Sequence, residues 1–116
     1  MNTSIGHVEI FVKDPLKSRD FYTDILGFRL EEIQNDKFVW LSMNDRQVLL
    51  RPGENLNPVS SYQKSNMAVV IYTDDMKGTM DTYISRGLEI KGDDTRCPVF
   101  TDPDGNWFQL VNPNKH

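Results

Sequence analysis

FTDPDGNWFQLVNP, residues 100–113, reads as the end of one strand, a tight turn and a second strand. Pro103 presets φ, Gly105 supplies a left-handed position, and the residues that follow alternate in direction. The same plan occurs earlier. Residues 43–52, MNDRQVLLRP, place a polar Asn-Asp turn before a short apolar strand that closes on Arg-Pro, as the later strand closes on Asn-Pro. Other landmarks recur at nearly one offset: Asp14 and Asp74, Gly27 and Gly87, Pro52 and Pro113. A spacing of this kind points to two modules of one design.

The chain before each of these hairpins fits that reading. Residues 5–13 alternate, with His7, Glu9 and Phe11 on one face and Val8, Ile10 and Val12 on the other. Asp14 is placed to cap a helix and Pro15 to open it, where a missing N–H costs nothing. Ser18, Phe21, Tyr22, Ile25 and Leu26 form the helical stripe, and Gly27 stops it. Strands follow over 28–33, 37–43 and 47–51, so module one spans residues 1–52 and reads β-α-β-β-β. Residues 53–65 are rich in turn formers and form a linker, with Tyr62 placed on a candidate lid. Module two spans 66–113: a strand over 66–73, a helix capped by Asp74 or Asp75 with Met76, Met80, Tyr83 and Ile84 on its stripe, then strands over 88–91, 98–101 and 107–111.

At 116 residues the chain suits one domain containing both modules. Hydrophobic residues at 38% and charged residues at 26% argue against disorder. No apolar run is long enough to span a bilayer and no basic-then-apolar leader opens the chain, so the expectation is a cytoplasmic protein without a membrane partner. A net charge of −4 without a basic block argues against nucleic acid and suits a cationic small ligand. Cys97 is the only cysteine, which excludes an internal disulfide and a multi-cysteine metal site.

The repeated β-α-β-β-β plan, the segment FYTDILGF at 21–28 and the closing DPDGNWFQL at 102–110 resemble the vicinal oxygen chelate superfamily. That superfamily includes glyoxalase I, extradiol dioxygenases, fosfomycin resistance enzymes and bleomycin resistance proteins. The resemblance implies an α+β fold in which two tandem modules form a half-open, U-shaped mixed-sheet cavity, and a homodimer. It is specific for fold and poor for function, because one scaffold hosts isomerases, dioxygenases, transferases and drug-binding proteins. Metal-using members place ligands on the first and last strands of each module. Carried over, with the last strands counted back from Pro52 and Pro113, those positions are His7, Val48, Asn66 and Gln109.

Val48 cannot donate to a metal, and Asn66 and Gln109 are neutral amides. The expectation is therefore no resident cofactor, with Ni, Co, Zn or Fe held by His7 and Gln109 as the alternative. Strand alternation then collects an aromatic and polar wall. His7, Glu9 and Phe11 share one strand; Leu50 goes with Val48; Ala68, Val70 and Tyr72 go with Asn66; Trp107 and Val111 go with Gln109. Trp40, with Phe38, joins this wall or enters the core. Glu9 is a general base or a counter-charge if it faces the cavity, and is otherwise solvent-facing or salt-bridged. Arg51 is solvated or meets an anionic group. Two functions follow: a small-molecule binder that sequesters an antibiotic or other aromatic or cationic compound, or a metal-dependent lyase, isomerase or dioxygenase in which His7 and Glu9 are the catalytic candidates.

Overall fold

Each half of the chain builds its own four-stranded mixed sheet, and the chain divides into two compact units, residues 1–56 and 57–116. The computed structural model describes residues 1–115; His116, expected at a frayed terminus, lies outside them.

In the first unit the strands are β1 (Val8–Val12), β2 (Arg29–Gln34), β3 (Phe38–Met43) and β4 (Arg46–Pro52), in spatial order β1-β4-β3-β2. β1 and β4 run parallel, and the other neighbours are antiparallel. A parallel pair needs a crossover, and α1 (Pro15–Asp20) with its continuation supplies it. Asp14 caps α1 by accepting from the Leu16 and Lys17 amides, with Pro15 in the first turn. The helix then widens into a π-turn over Phe21–Ile25, where the Leu26 amide reaches the Phe21 carbonyl at 3.2 Å. Gly27, at φ +83°, ends the segment. Tyr22 and Leu26 are buried with Ile10, Val12, Val39, Leu41 and Leu50 in the core of this unit.

The second unit repeats the plan with β5 (Val69–Tyr72), α2 (Met76–Ser85), β6 (Asp93–Asp94), β7 (Cys97–Thr101) and β8 (Trp107–Val111), in order β5-β8-β7-β6. Asp75 rather than Asp74 caps α2, accepting from the Gly78 amide. Phe100 and Phe108 face each other across β7 and β8 and stack at 5.4 Å, with Tyr83 of α2 edge-on to Phe100. Ile84, expected on the buried stripe, is half exposed, so Tyr83 alone seals this part of the helix.

Two strand expectations need correction. Residues 88–91 are not a strand; only the Lys91 amide, bonded to the Val99 carbonyl, touches the ladder, and β6 lies two residues later. The β6–β7 turn uses Thr95 and Arg96, both at positive φ, without a glycine or asparagine to announce it. β5 is also shorter than expected, which leaves Asn66 in the coil that precedes it.

The turn into β8 is held by Asp102, which is 2% exposed. Its carboxylate accepts from the Asp104 amide, the Asn106 amide and the Asn106 side chain, each at 2.9 Å. Beside it Gly105, at φ +89°, lies where an added Cβ would run into the Pro58 side chain. Removing a buried acceptor strands its donors, so Asp102→Ala is expected to lower the unfolding free energy by about 2–3 kcal/mol, measured by urea denaturation.

Candidate functional site

Register decides which side chains share a face. Glu9 pairs with Leu49, and Phe11 with Arg51; Val8 and Ile10 pair with Val48 and Leu50. Paired residues project to the same side of a sheet, so Val48 and Leu50 belong to the helix-covered core. The expectation that they line the wall with His7 is corrected: counting back from Pro52 slips one residue, and the wall position is Leu49. In the second unit Val70 pairs with Gln109 and Tyr72 with Val111, so Gln109 is the counterpart of Leu49. The capping aspartates, Asp14 and Asp75, correct the other carried-over position. They lie 61 apart, which makes Ala68, not Asn66, the counterpart of His7.

The first unit's open face is a connected cluster. His7 lies just before β1, and its Nε2 is 2.8 Å from Glu9 Oε2, while Arg51 Nη1 donates to Glu9 Oε1 at 2.8 Å. An ionised carboxylate only accepts, so Nε2 carries the imidazole proton in this contact. The Arg51 guanidinium lies 5.2 Å from the Phe11 ring centre and 5.6 Å from that of Phe38, between the two rings. Trp40 meets His7 edge-on at 4.6 Å, and its indole N–H donates to the Gln34 side chain at 3.0 Å. Trp40 and Phe38 thus stand on this face and not in the core. Arg51, expected to be solvated or to meet an anionic group, meets the anion within its own sheet.

This pairing sets the chemistry of Glu9. The hydrogen bond from Arg51, and then the one from His7, hold its carboxyl below the usual glutamate range. A carboxylate stabilised in this way is a weak proton acceptor at neutral pH, and its charge is already met by Arg51.

On the second unit's corresponding face Gln109 is buried with both ends of its amide engaged: Nε2 donates to the Asp94 carbonyl at 2.9 Å and Oε1 accepts from the Tyr62 hydroxyl at 3.2 Å. Tyr62 also packs edge-on to Trp107 at 6.2 Å. Trp107 is buried, and its indole N–H has no hydrogen-bond partner among the described residues. Tyr72, 71% exposed, lies two residues along the face from Val70, while Asn66 stands apart from it in an exposed loop. Tyr62, expected on a lid, is instead in contact with Gln109 and Trp107. An isolated Tyr in a turn-rich segment carries no periodic signal to place it.

These positions do not fit a resident divalent ion. The register-aligned set is His7, Leu49, Ala68 and Gln109, of which two have no donor atom. The His7 Nε2 is committed to Glu9 and the Gln109 oxygen to Tyr62. Among the described residues, no three His, Cys, Asp or Glu side chains gather as a metal would require.

The lowered Glu9 value has a definite pH sign. The stabilisation from its folded pairing is fully present above the ordinary glutamate range and is lost as pH falls through the lower, folded value. A carboxyl-carbon NMR titration is expected to place the Glu9 midpoint below that of an unpaired glutamate. Arg51→Gln is expected to move it back up.

Comparison with known proteins agrees with this topology. No curated protein sequence matches the chain significantly. Among solved structures it is similar to a lactoylglutathione lyase from Agrobacterium tumefaciens, with 12% identity, 97% of this chain and 95% of that one covered, and a TM-score of 0.74. It is similar also to the fosfomycin resistance protein FosX from Listeria monocytogenes, with 19% identity, coverage of 97% and 92%, and a TM-score of 0.73. At these identities the likeness is one of fold. TnmS3, an antibiotic binding protein from Streptomyces sp. CB03234, is 25% identical over 97% of this chain and 99% of that one, with a TM-score of 0.73. The sequence profile of the Glyoxalase/Bleomycin resistance protein/Dioxygenase superfamily matches residues 4–110, and the chain belongs to that superfamily.

Proposed function

We propose that this protein binds an aromatic small molecule, in the manner of an antibiotic-sequestering member of its superfamily, on the face formed by β1, β4 and β3. The observation that carries the reading is the state of the aromatic side chains there. Phe11 is 45% exposed, and Phe38 and Trp40 are only partly covered, yet all three are oriented by polar partners: Arg51 between the two phenylalanines, His7 against Trp40, and Gln34 on its indole. Pre-oriented rings stack on a planar ligand without a large ordering cost.

Because Glu9 is neutralised by Arg51, the attraction is aromatic rather than ionic. The full-length similarity to an antibiotic binding protein supports the same reading. We also read the chain as a cytoplasmic homodimer, to be checked by light scattering. Exposed Val70 and Tyr72 on the edge strand β5 would be covered in such a pair.

The test is calorimetric titration with bleomycin and with a planar anthracycline antibiotic, followed by recovery of the compound. Saturable micromolar binding with the compound recovered unchanged is expected, and Trp40→Ala or Phe11→Ala should weaken it about tenfold. Absence of binding to either compound, or their chemical conversion, would refute sequestration.

A further inference from the structure

The second unit holds a cavity of about 370 Å³, bounded by Tyr62, Asn66, Met67, Ala68 and Asp94 among others. Its hydrogen-bond polarity follows from the Asp94 carbonyl. That carbonyl accepts and never donates, so the Gln109 atom 2.9 Å from it is the amide nitrogen. The Gln109 oxygen therefore faces Tyr62, and the Tyr62 hydroxyl must spend its single proton on that oxygen. What Tyr62 has left is lone pairs. Asp94 lines the same cavity; its carboxylate takes one hydrogen bond from the Gln63 side chain at 3.1 Å and forms no ion pair among the described residues.

We infer that this cavity is a binding site for an alkylammonium group, a primary amine carried on a small molecule. Its N–H donors meet the Asp94 carboxylate and the Tyr62 oxygen, and its carbon chain lies against Met67 and Ala68. An anion is disfavoured by Asp94 and by the net charge of −4; a neutral acceptor finds no proton on Tyr62. Asp94 also acts on Tyr62: burial first, and then the Asp94 charge, push the phenol up from its ordinary value, which keeps its proton in place for Gln109. Trp40 and Phe11 are not among the residues that line it, so their substitution tests the aromatic face and not this site.

The experiment titrates ¹⁵N-labelled full-length protein with n-butylammonium chloride, and in parallel with n-butanol and sodium butyrate at matched ionic strength. Amide shifts of residues 62–68 and 92–95 give the readout. Saturating shifts with the ammonium compound alone are expected, and added NaCl should weaken them. Asp94→Asn, which keeps an oxygen for Gln63, should weaken binding at least about tenfold, because a charge-assisted contact becomes a neutral one. Tyr62→Phe should weaken it about threefold. Asp93→Asn, at the exposed neighbour, should leave it unchanged. Equal saturation by n-butanol, salt-independent binding, or an Asp94→Asn variant with a dispersed spectrum and undiminished affinity would overturn the assignment.

Discussion

The parallel contact between the first and last strands of each unit is the constraint on which the rest depends. Parallel neighbours cannot be joined by a hairpin and need a crossover; between β1 and β4, as between β5 and β8, the chain forms a helix and two antiparallel strands. The helix covers one face of the sheet and leaves the other for side chains with chemistry. In-register pairing then decides membership of that second face. Glu9, Leu49, Phe11 and Arg51 are neighbours for this reason, and so are Val70, Gln109, Tyr72 and Val111.

Much of this was legible in the residues. Asp14-Pro15 announces a capped helix start, Gly27 and Gly87 its end, and the limits of β8 follow from the turn chemistry of Pro103 and Gly105. Local rules succeed where one residue type satisfies one backbone requirement. They fail where the requirement is met from a distance. The Thr95–Arg96 turn adopts a left-handed path with neither residue favoured for it, held by the pairing of Asp93 and Asp94 with Pro98 and Cys97. Leu88, in the stretch read as a strand, is instead a single buried anchor after the helix.

The candidate site shows the same division. Alternation put His7, Glu9 and Phe11 together, which depends only on the two-residue period of a strand. Placing Val48 beside them required the register between strands far apart in sequence, and a count from a terminal proline is one residue in error. The Arg51 partner of Glu9 was equally out of reach, since it lies 42 positions away. Yet that contact makes the Glu9 carboxylate an acceptor held within its own sheet.

The helical segments of the two units differ in length. The capping aspartates Asp14 and Asp75 are 61 positions apart, whereas the closing glycines Gly27 and Gly87 are 60 apart, so the first helical segment contains one residue more. The π-turn over Phe21–Ile25 is where that residue is taken up: a wider loop of backbone admits it without rotating the flanking strands. A duplicated architecture can thus absorb a single-residue insertion inside a helix and keep both sheets in step. The extra residue becomes a local bulge that brings Tyr22 beside Phe28, and not a frame shift that would turn the open face of β2 inward.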